Sequence, residues 1–198
     1  MLSRSQQEWL LCAARAAVRA NLCHDVPFSP ETADPDLLDT RPVFVSVHSG
    51  GALRGCIGVL ETAAPLIEAV VSCAISATAD DPRFPPVTGE ELPQLTFEIS
   101  ILSAPWTITG SEDVQVGRDG VIVTNGSRKA LLLPQVGARE GWAARELLAA
   151  VCLKAGLPDT AWRLPGVKLE AFTAEVFSEA VSDPLEPPAG RPDPSLDA

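Results

Sequence analysis

The chain has 198 residues, is 46% hydrophobic and carries a formal net charge of −11. That is enough apolar material for one domain or two closely packed subdomains, and the acidic balance argues against a nucleic-acid binder, because phosphate contacts need clustered Lys and Arg. The longest apolar stretch, Ala63 to Ala79, is broken by Pro65, Glu68, Ser72 and Ser76 and falls short of a membrane span. No secretory signal is read either, since Gln6, Gln7, Glu8, Arg15 and Arg19 interrupt the N-terminal region, so a cytosolic setting is expected.

Taken in chain order, residues 5 to 22 predict an amphipathic helix. Ser5-x-x-Glu8 has the form of a capping box, and Trp9, Ala13, Ala16, Ala17 and Ala20 recur at helical spacing. Residues 25 to 42, with Pro27, Pro30, Pro35 and Pro42, predict a loop. Val43 to His48 is a β-branched run that turns at Ser49-Gly50-Gly51 and returns from Ala52 to Val59, a hairpin. Residues 65 to 79 predict a helix that opens at Pro65 and places Leu66, Ala69, Val70, Cys73 and Ala77 on one face.

Asp80 to Leu92 reads as a loop stiffened by Pro82, Pro85 and Pro86. Residues 94 to 102 are a strand, with Leu95, Phe97, Ile99 and Ile101 on one face and Thr96, Glu98 and Ser100 on the other. A second hairpin runs from Val121 through an Asn125-Gly126 turn to Ala130–Leu133. One long helix is expected over 140 to 155, with Trp142, Ala149, Cys152 and Leu153 on its apolar side and Gly156 as its stop. A last strand spans about Val167 to Phe177, and an acidic Pro-rich tail from residue 181 is expected to be disordered. Hairpins with helices between them give an α+β fold with mainly antiparallel sheets.

The stretch that carries chemistry is Leu53-Arg54-Gly55-Cys56-Ile57-Gly58. On a regular strand Arg54 and Cys56 share a face, and a guanidinium there favours the thiolate. Gly55 and Gly58 leave room for a ligand or another backbone to approach. Against this stands the reading of Cys56 as a small buried hydrophobe, the commoner fate of a lone cysteine.

His48 is the candidate base for a Cys–His pair, and hairpin register decides it. A two-residue loop sets Val45 opposite Cys56 and puts His48 on the other face, whereas a three-residue loop brings His48 onto the Cys56 face. The two-residue loop is the commoner. His24 is read as a surface residue. Asp81, Arg83 and Phe84 form a second constellation on the proline-locked loop, where Arg83 either binds an anion or pairs with an Asp to pin the loop. Glu98 is a candidate acid, base or Arg partner, and Gln135 a candidate amide donor in Leu133-Pro134-Gln135-Val136. The four tryptophans, Trp9, Trp106, Trp142 and Trp162, are read as core or subdomain contacts. Five cysteines without a close CxxC pair, and only two histidines, provide no metal-ligand spacing. No cofactor can be read from the sequence.

LRGCIG, DPRFPPV, EISILS, LLLPQV, the segment with Glu140-Gly141-Trp142, and Cys152 to Leu157 occur in the order seen in AMMECR-domain proteins. The chain resembles that family over about Gln6 to Phe177. Its bacterial members are called AmmeMemoRadiSam system protein A. The resemblance implies an α+β fold of two subdomains within residues 1 to 180, the larger built from both chain ends, with antiparallel sheets flanked by helices and a cleft between the subdomains. It matches the family's hallmark cysteine to Cys56. It also implies association with Memo-like and radical SAM proteins, without a settled activity.

Two functions follow as expectations. One is a small-molecule-binding protein or Cys-dependent enzyme with a site around Arg54, Cys56, Asp81, Arg83 and Glu98. The other is a non-catalytic adaptor for the partner proteins.

Overall fold

The computed structural model describes residues 1–23 and 28–179. His24 and the tail from residue 181 lie outside the described residues. The chain divides into two compact units. One comprises Met1–Ile101 with the chain from Val176, and the other comprises Leu102–Glu175.

The first unit opens with α1 (Arg4–Cys23). Its cap is not Ser5-x-x-Glu8. Ser3 and Gln6 form the reciprocal pair, with the Gln6 N–H on Ser3 Oγ at 3.3 Å and the Ser3 N–H on Gln6 Oε1 at 2.7 Å. The helix starts one residue before the expected cap, so Glu8 instead pairs with Arg4 one turn back at 2.9 Å. The buried stripe is Leu10, Leu11, Ala13, Ala14, Ala17 and Val18, with Trp9 packed at its edge. Within the expected loop, α2 (Pro35–Leu38) makes a single turn that buries Leu37. Asp34 caps it by accepting from the Asp36 N–H at 3.0 Å, and Pro35 suits the first helical position.

β1 (Val43–Ser49) lies between β2 (Ala52–Val59) and β3 (Leu95–Leu102) in an antiparallel sheet. Val43, Val45, Val47, Phe97, Ile99 and Ile101 face a core completed by α1 and by α3 (Leu66–Ala79). Every residue expected on the apolar face of α3 is buried. Pro65 sits just before that helix as its N-cap.

In the second unit β4 (Trp106–Ile108), β7 (Lys168–Ser178, of which residues 176–178 belong to the first unit), β5 (Asp119–Asn125) and β6 (Arg128–Leu132) pair antiparallel in that order. Asn125 pairs with Arg128, so Gly126 and Ser127 are the two turn residues, and Gly126 takes a φ of +60°. The single helix expected over 140 to 155 is two: α4 (Pro134–Glu140) and α5 (Ala144–Lys154). Gly141, in the left-handed region at φ +68°, ends α4, with the Trp142 N–H on Gly137 O at 2.9 Å. Gly156 ends α5 in the same way, with the Leu157 N–H on Cys152 O at 2.9 Å.

Leu147, Leu148, Val151 and Cys152 pack α5 against Val121, Val123, Leu169 and Ala171. Leu153, expected on the apolar side, is 61% exposed, because the buried stripe of α5 runs through Leu147, Leu148, Val151 and Cys152 and the next residue points past its edge. Trp142 and Trp162 pack on this core, whereas Trp106 is exposed. The fold is α+β. No helix among the described residues is long and apolar enough to cross a membrane.

Candidate functional site

The site grows from the β1–β2 hairpin. Ser49 pairs with Ala52 across Gly50 and Gly51, whose φ values are +58° and +82°, so the loop has two residues. Regular pairing would then set Val45 against Cys56. The register jumps instead between His48↔Leu53 and Val47↔Gly55, leaving Arg54 as an extra residue. This is a β-bulge, a device that re-aims side chains.

Beyond the bulge Ser46 faces Cys56, and across β1 it also faces Glu98. Cys56, Ser46 and Glu98 thus form one cross-strand row on the sheet face turned away from the α1–α3 core. His48 stands on that same face, paired with Leu53 and Thr96. The bulge therefore moves His48 to the Cys56 face although the loop is short. Leu53, paired with His48, shares that face too. Among the described residues no hydrogen bond joins His48 to Cys56. The Ser46 hydroxyl, on a residue only 5% exposed, donates to Cys56 Sγ at 3.2 Å.

The backbone of Cys56 is gripped by the loop after α3. Asp81 Oδ2 accepts the Cys56 N–H at 2.9 Å, and Arg83 Nη2 donates to Cys56 O at 3.2 Å. The two side chains are themselves a bidentate pair, at 2.9 Å through Arg83 Nε and 2.6 Å through Nη2. Asp81 is buried while Arg83 is half exposed, so the pair presents its cation outward. Phe84 backs the guanidinium at 5.4 Å. The Arg83 hydrogen bonds hold the Asp81 carboxyl well below the usual carboxylate range, outweighing its burial. Of the two expectations for Arg83, the pairing with an Asp that pins the loop is the one seen, in the contact with Asp81.

Arg54 does not sit beside the thiol. Its guanidinium donates to Glu91 Oε1 and Oε2 at 2.8 and 3.2 Å, to Pro85 O at 2.8 Å and to Pro86 O at 3.3 Å. The cation that reaches Cys56 is Arg83.

The glycines also serve packing. A Cβ on Gly55 would lie 1.9 Å from Ala77 O of α3, and one on Gly58 would lie 2.2 Å from the Phe44 ring. Gly55 admits another backbone and Gly58 an aromatic ring, both from within the protein. Gln135 is in α4 of the second unit, half-buried.

All five cysteines are free thiols. Burial, with the charge of Cys56 second, pushes the Cys73 thiol up to about 11, and burial raises Cys12 and Cys152. No group of three or more His, Cys, Asp or Glu among the described residues could hold a metal ion.

Sequence reasoning singled out Cys56, Asp81, Arg83 and Glu98 but missed Ser46 and Glu91. Ser46 interrupts a valine run at an outward position, the one signal that its hydroxyl has a task. Its partner depends on the bulge.

The AMMECR1 family model matches residues 11–177. The chain belongs to the AMMECR1 family. It is 42% identical to Protein TK0174 of Thermococcus kodakarensis, over 89% of this chain and 93% of the relative. It is 46% identical to Protein MJ0810 of Methanocaldococcus jannaschii over 71% and 74% of the two chains. The crystal structure of the uncharacterised protein PH0010 from Pyrococcus horikoshii superposes with a TM-score of 0.86 at 40% identity, covering 90% of this chain and 93% of that one. These AMMECR1 relatives are archaeal. At that identity and overlap the α+β fold is common to the solved AMMECR1-family structure and this chain.

Proposed function

We propose that this AMMECR1-family protein binds a small electrophilic ligand at the outer face of its β2–β1–β3 sheet and acts on it through Cys56. The observation that carries this reading is the Ser46 hydroxyl aimed at Cys56 Sγ. A donor fixed on the sulfur supports the charge that develops there as a thiol reacts. Arg83 adds an exposed cation on a backbone that cannot drift, since Asp81 holds Cys56 and Arg83 together. Glu98, across Ser46 from the thiol, is the candidate for moving a proton. Free cysteines throughout accord with a reducing, cytosolic setting. The Memo-like and radical SAM proteins implied by the motif resemblance are the expected partners of this chemistry.

The test is the alkylation rate of each cysteine by peptide mass spectrometry, from about pH 5 to about pH 9. In the folded protein Cys56 is expected to react well before buried Cys73 and Cys152, and faster than exposed Cys23, which serves as the unassisted thiol. Ser46→Ala should slow Cys56 about fivefold, the worth of one hydrogen bond of about 1 kcal/mol. A Cys56 that stays inert until the protein unfolds sinks the reading.

The alternative is a non-catalytic adaptor. It is favoured by the exposure of Leu153 and Leu164 in the second unit, 61% and 54%. It expects substitutions there to abolish co-purification with a Memo-like or radical SAM protein, while Cys56→Ser has no effect.

A further inference from the structure

We propose that Arg54 is a positioning residue that fixes Arg83 against Cys56, acting through the loop from Asp81 to Glu91 and not through its own charge. The inference rests on the reading of Cys56 as the reactive centre.

The geometry separates the two arginines. The Arg54 side chain is 15% exposed and that of Arg83 is 53% exposed. Among the described residues the Arg54 side-chain hydrogen bonds go to the far half of the loop, at Pro85, Pro86 and Glu91. Glu91 in turn accepts from the Thr88 N–H at 2.8 Å and from Thr88 Oγ1 at 3.2 Å, closing that half on itself. The near half is fastened at Asp81, whose carboxylate takes the Cys56 N–H. Arg83 and Phe84 lie between the two fastenings. The bulge is what makes this possible: it takes Arg54 out of the regular register, so residues 54 and 56 of one strand hold the two ends of the same loop.

Arg83 is then held by Asp81, by Cys56 O and by the Phe84 ring, with the remaining nitrogen, Nη1, uncommitted among the described residues. Loosening the far fastening gives this segment freedom to swing Arg83 off Cys56. A lysine at position 54 cannot replace the fork, because an ammonium does not present planar donors to a carboxylate and two carbonyls at once.

The experiment compares alkylation of Cys56 by iodoacetate and by iodoacetamide, which differ in charge and little else. The anionic reagent senses a cation near the sulfur. Arg83→Gln is expected to lower the iodoacetate-to-iodoacetamide ratio at Cys56 about threefold to tenfold, the scale of one partly screened charge. Arg54→Lys, which keeps the charge, is expected to lower it in the same direction. Glu91→Gln does so from the loop side without touching the strand. The Arg54→Lys, Arg83→Gln double variant should show little beyond Arg83→Gln alone, because both act through one guanidinium.

A ratio that falls in Arg83→Gln but is unchanged in both Arg54→Lys and Glu91→Gln overturns the positioning role and leaves the proposed site intact. If Cys56 is inert in the parent protein, the reading of the site fails, and amide exchange decides the positioning role by itself. Faster exchange of the Cys56 N–H in Arg54→Lys, by about tenfold, would support it, and unchanged exchange would overturn it.

Discussion

At Ser46 a hydroxyl meets a thiol from a strand whose core-facing positions are valines, and the contact exists because β2 carries one residue too many. Cys56, Asp81 and Arg83 were legible in the sequence because residue type and local chemistry single them out. The duty of Arg54 was not, since strand alternation places it beside Cys56 and only the bulge sends it to Glu91. The glycines of LRGCIG make the residue-scale prediction. Gly55→Ala would put a methyl group 1.9 Å from the Ala77 carbonyl, backbone that cannot swing aside. It should destabilise the protein by about 2–4 kcal/mol, read as a lower denaturant midpoint at unchanged m-value. Near-wild-type stability would mean that α3 does not pack this closely on β2.

At the scale of elements, the loop between α3 and β3 depends on two depressed carboxylates. The Arg54 hydrogen bonds, with those of Thr88, hold Glu91 down from 4.5 to about 2, and Arg83 lowers Asp81. Their folded-state values lie below the unfolded ones. The stability Glu91 contributes is therefore present above about pH 4.5 and is lost as pH falls towards about 2, and that of Asp81 is lost only in stronger acid. Unfolding measured across that window should show a smaller loss in Glu91→Gln than in the parent chain, and equal slopes would contradict the pairing. The helices show a limit of pattern reading. Residues 140 to 155 have helical periodicity, yet Gly141 in the left-handed region ends one helix and Ala144 starts another. Periodicity reports which face is apolar and is silent on a three-residue break at residues 141–143.

At the scale of the whole chain, the first unit is closed by a contact between residues 164 positions apart. Arg15 of α1 donates through Nε to Glu179 at 2.7 Å, lies 5.0 Å from the Phe97 ring, and also reaches Leu92 O at 3.1 Å and Leu95 O at 2.6 Å. Glu179, only 4% exposed, further accepts the Phe97 N–H at 3.0 Å. Removing one partner strands a buried charge. Glu179→Ala should therefore cost about 3 kcal/mol, whereas Arg4→Ala, at an exposed pair, should cost under about 0.5 kcal/mol. Thermal unfolding of the two variants side by side checks this, and similar melting temperatures would rule the clamp out.

The sequence alone determined the α+β class, both hairpins, the apolar faces of α3 and β3, the family and the residues that bear reactive groups. These depend on local propensity, periodicity and side-chain type, which neighbours along the chain already express. The tertiary structure decided which groups meet: Ser46 with Cys56, Arg83 with the Cys56 backbone, Arg54 with Glu91, and Arg15 with Glu179. Those pairings are set by one extra residue in a strand and by contacts between positions far apart in sequence. A one-residue change of register turns a side chain to the opposite face, and no composition or spacing rule carries that information.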